Sequence, residues 1–435
     1  MYFFIGIKGT GMASLATILH DLGYEVAGSD LEKHFFTEDD LVERNISIYP
    51  FNKENIKDDM TVIIGNAFGD DFDEVKEALS NPKVTCYRYH VFLGKFIEDY
   101  NSICIAGSHG KTTTTGMMSA MLSQEKPTAF LIGDGTGRVS KGSEYFVLEA
   151  CEYRRHFLAY KPNYAVITNV EIDHVDYFKS EEDYGRAYEE FASQVKKNIV
   201  VFGDDLQARS LKLPDNVIWY GVGSDNDVRA INIEETSTNM SFDVLYKKEL
   251  FGHFILPFVG THLLWNSLAV ITLGILEGIP AEKIENGLAS FTGVKRRFVV
   301  EEHGDSIYID DYAHHPTEIG VTLDSVKKRY PDRKIVAIFK PHRVSRVQYF
   351  AQQFADALNK ADVVVVCDFT SIDDFEEGID IDITYLTNRI DNSYIFTETE
   401  EEAQFLASLT PCVYVFMSSK DIYPFMEMVK RYQNS

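Results

Sequence analysis

The feature that most constrains this chain is the run Gly107-Ser108-His109-Gly110-Lys111-Thr112-Thr113, which follows the apolar stretch Ser102–Ala106 and precedes a helical pattern. A strand, a glycine loop and a helix in that order make a phosphate-binding turn. The glycines let backbone amides face phosphate oxygens, the helix N-terminus adds its dipole, and Lys111 reaches the β- and γ-phosphates. Thr112 is placed to hold Mg²⁺. The loop is a shortened form, because the full pattern needs glycine where this chain has Ile105. A chance Gly-Lys-Thr is the alternative, and the flanking strand and helix weigh against it. Two more loops suit the same site. Glu149 ends the strand Tyr145–Leu148, Asn169 ends the strand Tyr164–Thr168, and His174 follows five residues later. In an open parallel sheet these loops share the carboxyl edge, where ligands bind. A carboxylate there needs a cation or a cap, so Glu149 is read as a metal ligand opposite Thr112. His174 suits Mg²⁺ less well, since that ion prefers oxygen; an ordinary hydrogen-bonding loop histidine is its alternative.

Around this motif the chain alternates short β-branched runs with longer helical patterns, which reads as parallel α/β layers. Its 435 residues exceed one ordinary core and suggest about three domains. The first, residues 1–99, opens with a strand Tyr2–Ile7, a glycine loop, a helix Gly11–Leu22 and a strand Glu25–Ala27. The second, residues 100–297, carries the phosphate loop. Its stretch 198–258, with short runs Ile199–Phe202, Val217–Tyr220 and Ser241–Leu245, reads as an antiparallel patch on a parallel sheet, followed by a helix Leu263–Glu277. The third, residues 298–435, has strands at Ser306–Ile309, Lys334–Phe339, Val363–Val366 and Val413–Phe416. The expected fold is therefore α/β in three domains: a Rossmann-like N-terminal domain, a central phosphate-loop ATPase type, and a Rossmann-like C-terminal domain.

The formal charge of −25 argues against nucleic acid and anionic membrane as partners, both of which call for a basic face. It leaves phosphorylated small substrates open, because a few positioned cations bind those locally. No run approaches the ~18 apolar residues of a membrane span. The apolar start reads as a buried first strand without the basic region of a signal peptide. Five scattered cysteines without a C-x-x-C pair read as reduced thiols of a cytoplasmic protein.

The first glycine loop, Gly6-Ile7-Lys8-Gly9-Thr10-Gly11, is spaced G-x-x-G-x-G, with Asp30 19 residues after Gly11 at a strand end. A nucleotide diphosphate fits such a loop and Asp30 fits a ribose hydroxyl; close packing is the alternative use of the glycines. In the third domain, Asp310-Asp311-Tyr312-Ala313-His314-His315-Pro316 follows a strand. Lys340-Pro341-His342-Arg343-Val344-Ser345-Arg346 follows another and opens a helix. Arg343 and Arg346, three apart, are expected on one helical face, suited to a carboxylate or phosphate. Lys295-Arg296-Arg297 is either a solvated charge run or a cluster that meets ATP phosphates.

Together these segments resemble the Mur ligases along essentially the whole chain. The resemblance rests on Gly107–Thr113, Glu149–Phe157, Thr168–Asp176, Gly260–Asn266, Gly293–Phe298 and Asp310–Pro316. The Gly6–Gly11 loop with Gly28-Ser29-Asp30 resembles the branch that adds the first amino acid, and Cys151–Phe157 resembles its Gram-positive form. The absence of lysine from Tyr184–Glu190 agrees with that branch, as some other members carry a modified lysine there.

The resemblance implies a magnesium- and ATP-dependent ligase that joins L-alanine to the carboxylate of UDP-N-acetylmuramate, for peptidoglycan precursors. The first domain would bind the sugar nucleotide through Gly9, Thr10, Gly11 and Asp30. The second would bind ATP through Gly107, Ser108, His109, Gly110, Lys111, Thr112, Thr113 and Asn266, with Arg297, Asp311 and Tyr312 around the nucleotide. Thr112, Glu149 and His174 would hold metal. The third would close over both, with His314, His342, Arg343 and Arg346 lining the reacting end. Lys111, Glu149, His174, His314, Arg343 and Arg346 are the implied catalytic set. Three positions depart from the family pattern: Ser418-Ser419-Lys420 replaces Gly-Ala-Gly, Lys340 replaces Gln, and Leu263 replaces Asn. Two alternatives stay open: a peptide-recycling ligase on the same sugar nucleotide, which shares the first-domain loop, and a non-catalytic nucleotide-binding paralogue, motivated by Ser418-Ser419-Lys420. Monomer and homodimer are both left open.

Overall fold

The computed structural model describes residues 1–236, 238–370, 374–376 and 378–433. They form two compact units: Met1–Ile172 with Glu181–Gly293, and Asp173–Ser180 with Val294–Ser435. Three sheets divide them into three α/β domains.

The first sheet comprises β1 (Tyr2–Ile5), β2 (Val26–Asp30), β3 (Ser47–Pro50), β4 (Thr61–Ile64) and β5 (Thr85–Arg88). Its order is β3-β2-β1-β4-β5, every pair parallel. The strand order reverses between β1 and β4, so the Gly6–Gly11 loop leaves the sheet where such sheets bind ligands.

The second sheet belongs to the same unit. Its strands are β6 (Asn101–Ala106), β7 (Thr128–Leu131), β8 (Gly137–Arg138), β9 (Tyr145–Glu149), β10 (Tyr164–Ile167), β11 (Ile199–Phe202), β12 (Val217–Gly221), β13 (Val228–Glu235), β14 (Met240–Tyr246) and β15 (Glu249–Leu256). Among the described residues the order is β15-β14-β13-β12-β11-β10-β6-β9-β7-β8. The antiparallel patch is narrower than predicted. Ile199–Phe202 and Val217–Gly221 pair in parallel, and only β13, β14 and β15 form the antiparallel meander. The reason is connectivity: the short helix Leu206–Ser210 returns the chain between β11 and β12, whereas β13–β15 are joined by tight turns.

The helix Lys111–Ser123 buries Met117, Met118, Met121 and Leu122 against Ile103, Val147 and Val166 of this sheet and against the helix Thr261–Leu276. That second helix is apolar nearly all round, with Leu268, Val270, Ile271 and Leu273 fully buried, and each such side chain contributes about 1.5–3 kcal/mol. The phosphate loop is thus fixed at both ends by core.

The third sheet comprises β16 (Val299–His303), β17 (Ser306–Asp311), β18 (Ile335–Phe339), β19 (Val363–Cys367), β20 (Ser393–Phe396) and β21 (Val413–Met417), in the order β16-β17-β21-β18-β19-β20. Only β16 runs antiparallel. The five cysteines are free thiols, three of them buried. Among the described residues no helix is long and apolar enough to cross a membrane.

Candidate functional site

The phosphate loop is held by the neighbouring strand edge. Thr168 Oγ1 donates to the His109 carbonyl at 2.6 Å, and Asn169 Nδ2 donates to the same oxygen at 3.0 Å. Asn169 Oδ1 accepts from the His109 amide at 2.9 Å. Ser108 Oγ donates to the Glu171 carbonyl at 2.5 Å, and His109 Nε2 lies 2.9 Å from Glu171 Oε2. Gly107 has φ +136°, and a Cβ there would stand 2.0 Å from Thr168 Oγ1, so both backbone and packing demand glycine. Gly110 is left-handed at the N-cap of the helix Lys111–Ser123, with Asn266 Oδ1 2.8 Å from where its Cβ would be. The sequence-predicted Gly107–Thr113 loop and Asn266 therefore share one site.

Lys111 is turned inward. Its ammonium donates to the Gly107 carbonyl, to the Ser108 carbonyl at 3.2 Å and to Glu152 Oε1 at 3.2 Å. Glu152 is almost wholly buried, and its other oxygen stands 3.1 Å from the ammonium. Burial pulls the Lys111 pKa down, but Glu152, with Cys151 and Glu149, outweighs it and holds the pKa above the usual lysine value. The cation is therefore charged and resting on loop carbonyls. Thr112 is buried beside it, and Glu149 accepts from the Gly133 amide at 2.7 Å. Both offer oxygen to a hard cation. His174, the third predicted metal ligand, belongs to the other unit, where its φ is +51°.

At the first glycine loop Asp30 does local work. Its Oδ2 accepts from the Lys8 amide at 2.7 Å and its Oδ1 from the Leu31 amide at 2.8 Å. Lys8 is buried and pairs with Glu38 at 2.9 Å. Gly11 gives close approach, since a Cβ there would lie 2.5 Å from the Tyr89 hydroxyl. A cleft of about 690 Å³ opens beside this edge, lined by Phe51, Asn52, Phe68, Phe72 and Glu74 among others.

In the second unit, Arg343 and Arg346 depart from the expected shared helical face. The helix begins at Val344, and Arg343 precedes it with φ +70°. The two guanidiniums nevertheless grip one segment: Arg343 reaches Asp176 at 2.5 Å, and Arg346 reaches Asp173 Oδ1 through Nε at 3.1 Å and Nη2 at 2.9 Å. Burial raises the Asp173 pKa, but the Arg346 charge overrides it and holds the carboxyl well below the usual range.

His314 Nδ1 lies 3.0 Å from the Tyr312 carbonyl, which places the proton on Nδ1 and leaves Nε2 as the lone-pair nitrogen. Burial pushes its pKa down to about 3 despite Glu318, so the ring is neutral. His342 Nδ1 lies 3.4 Å from Ser419 Oγ.

The basic run at the domain junction divides its work. Arg296 is buried and donates to the Ser418 and Lys420 carbonyls at 2.9 and 3.0 Å, fixing the departing loop. Arg297 pairs with Glu318 at 3.3 Å and stacks on Tyr312. The departures have partners of their own. Lys420 meets Asp374 at 2.7 Å, Lys340 meets Glu398 at 2.6 Å, and Ser418 Oγ donates to the Lys340 carbonyl at 2.8 Å.

Asp311 accepts from the Phe298 amide at 3.1 Å and the Ala313 amide at 2.8 Å. Burial still pushes its pKa up to about 6 against Arg297. A carboxyl raised on folding stabilises below its unfolded pKa, near 3.8, and that contribution is lost as pH rises through about 6. Asp311→Asn should accordingly gain stability relative to the parent between pH 4 and 7, by about 3 kcal/mol at most. Denaturation at both pH values checks this, and a constant difference would contradict it.

Glu152 and Asp173 are the residues to which motif reading assigns no role, and Arg296, read as solvated or as a phosphate contact, instead holds the 418–420 backbone. Their one signal is a charge inside an otherwise site-bearing segment. What they pair with is set by tertiary contact.

Models of three Mur ligase domains match the chain: the "Mur ligase family, catalytic domain" over residues 2–101, the "Mur ligase middle domain" over 105–274 and the "Mur ligase, glutamate ligase domain" over 295–417. Among solved structures, the chain is similar to the UDP-N-acetylmuramate–alanine ligase of Thermotoga maritima. The identity is 27% and the TM-score 0.80, covering 100% of this chain and 99% of that one. It is similar to the UDP-N-acetylmuramate:L-alanyl-γ-D-glutamyl-meso-diaminopimelate ligase of Neisseria meningitides at 27% identity and TM-score 0.59, covering 68% and 99%. The fold is shared by a Thermotoga maritima ligase solved with ADP, at 19% identity and TM-score 0.68, covering 88% and 97%. A clamped phosphate loop and three domain matches in family order lead to one conclusion: the chain belongs to the Mur ligase family.

Proposed function

We propose that the chain joins L-alanine to the carboxylate of UDP-N-acetylmuramate at the expense of ATP. The observation that carries this reading is the phosphate loop, with a charged Lys111 resting on its own carbonyls where an anion would draw it outward. The end-to-end likeness to the Thermotoga maritima enzyme supports the choice of substrates. The residues fit a nucleoside triphosphate, since glycine is demanded at Gly107 and a 13-residue helix begins at Lys111.

A carboxylate is a poor electrophile. Its oxygen attacks the γ-phosphorus, ADP leaves, and an acyl phosphate forms. The amine nitrogen then attacks the acyl carbon, phosphate leaves with the C–O bond pair, and the amine's proton passes to the departing phosphate or to solvent. Lys111 and the loop amides offset charge on the transferred phosphoryl group. Thr112 and Glu149 would hold Mg²⁺, and the ion would supply charge neutralisation. His314 Nε2, kept unprotonated, accepts a hydrogen bond from the amine and orients it. Gly9, Thr10 and Gly11 hold the diphosphate, and Asn266 contacts the nucleotide. His342, Arg343 and Arg346 serve the reacting end.

A second reading, transfer of a preformed peptide, is favoured by the likeness to the Neisseria ligase and by Lys420 and Lys340 in the third domain. Phosphate release with ATP, Mg²⁺ and UDP-N-acetylmuramate, adding L-alanine, glycine, L-serine or the tripeptide in turn, separates the two. L-alanine is expected to give the highest kcat/KM. Preference for the tripeptide would replace this reading with the second.

A further inference from the structure

Two consecutive non-glycine residues, Arg154 (φ 50°, ψ 25°) and Arg155 (φ 58°, ψ 28°), adopt the left-handed conformation in the turn after Glu149. The region is unfavourable for a residue with a Cβ, and strain of this kind gathers at functional sites. Packing accounts for Arg155, whose guanidinium reaches Asp183 at 2.8 Å and Glu190 at 3.5 Å. Arg154 points to solvent, its guanidinium 5.3 Å from the Tyr153 ring centroid.

The place of this turn gives the exposed cation a meaning. Two residues before Arg154, Glu152 contacts Lys111 of the phosphate loop. Two residues after it, His156 stacks on His90 with centroids 4.4 Å apart. Asn66 bridges the two rings, 3.3 Å from His156 Nδ1 and 2.9 Å from His90 Nδ1. Asn66 follows β4 beside Phe68, whose ring packs against Gly6 of the first glycine loop. A path of side-chain contacts and chain neighbours, polar except at Phe68, therefore runs between the two glycine loops within one unit. Burial, the neighbouring histidine and Arg154 push the His156 pKa down to about 4, and burial also lowers His90. The rings are hydrogen-bonding groups at neutral pH, and Arg154 supplies fixed charge.

We propose that Arg154 is a substrate-binding residue that holds an anionic group, diphosphate or lactyl carboxylate, of a sugar nucleotide lying along the path from the Gly6–Gly11 loop to Lys111. This rests on the sugar-nucleotide reading above. A ligand with a diphosphate at one end and a reacting carboxylate at the other has the polarity of that path. The strained turn fixes the Arg154 backbone, and so the origin of its side chain, before the ligand arrives.

Arg154→Gly tests it, because glycine relieves the left-handed strain while removing the charge. The expected signature is a raised Tm together with a dissociation constant for UDP-N-acetylmuramate weakened at least ~10-fold, the loss of one charged hydrogen bond. ADP affinity should stay within about twofold, since a charged contact acts on the ligand it touches. Arg154→Asn, which also tolerates the left-handed region, should bind as weakly. UDP-N-acetylglucosamine, with the diphosphate but no carboxylate, locates the contact: equal weakening assigns the diphosphate, and no weakening assigns the carboxylate. Unchanged UDP-N-acetylmuramate affinity in the variant, or an equal loss of ADP affinity, overturns the proposal. Failure of the parent protein to bind UDP-N-acetylmuramate overturns the substrate assignment itself, which is a distinguishable result.

Discussion

Lys111→Ala is expected to lower L-alanine-dependent phosphate release on the order of 10³-fold, since on the proposed reading it removes a cation that offsets charge on the transferred phosphoryl group. The single change also strands Glu152, which is 1% exposed and faces the Lys111 ammonium at 3.1 Å. Breaking one side of a buried pair destabilises a fold by roughly 3–5 kcal/mol. The double variant Lys111→Met, Glu152→Gln removes both charges and should restore most of that stability while turnover stays lost. Steady-state phosphate release and thermal unfolding, measured on both variants, separate the two effects. An unchanged rate in the double variant would remove Lys111 from the ATP site.

Arg346→Met should produce a loss of stability of the same order. The guanidinium makes two hydrogen bonds to Asp173 Oδ1, at 3.1 and 2.9 Å, and both residues are buried. Removing it leaves an uncompensated carboxylate and costs about 3–5 kcal/mol at neutral pH. In the parent, Asp173 has a depressed folded pKa, so its contribution is present above the unfolded value of 3.8 and is lost as pH falls below it. Without Arg346 burial dominates, and the variant protonates Asp173 to relieve the penalty. The destabilisation should therefore shrink toward pH 4, and Asp173→Asn in the same chain should recover most of it. Denaturant unfolding at pH 7.5 and pH 4.5 checks the sign. A loss that grows toward acid would contradict the pairing.

Much of this was legible in the sequence because periodicity and local turns carry it. The strand–loop–helix around Gly107–Thr113, the edge positions of Glu149 and Asn169, and the three α/β domains follow from short-range pattern. Pairing direction is not local, so the stretch 198–258 read as antiparallel throughout, although β11 and β12 pair in parallel. Spacing put Arg343 and Arg346 on one helical turn, but a left-handed residue at 343 starts the helix one position later. Asp30 sits at the strand end, as spacing indicates, yet its carboxylate caps the Lys8 and Leu31 amides. Glu152 carries no motif of its own, and its meaning comes only from Lys111 folding back toward it.

The departures at 418–420 also read differently in three dimensions. Ser418 and Lys420 are tied to Lys340 and Asp374, and Arg296 fixes the backbone between them. The segment is tied down by these contacts, and on the proposed reading amine choice is what such rebuilding would alter. The amine series under Proposed function reads that directly.

Isotope transfer tests the central claim, amide formation through an acyl phosphate, most directly. UDP-N-acetylmuramate labelled with ¹⁸O in its lactyl carboxylate would be turned over with ATP, Mg²⁺ and L-alanine, and the released phosphate examined by mass. One labelled oxygen per phosphate is expected, because the carboxylate oxygen that attacks the γ-phosphorus departs with it. Unlabelled phosphate would mean that water, not the sugar carboxylate, accepts the phosphoryl group, and would contradict the ligase reading.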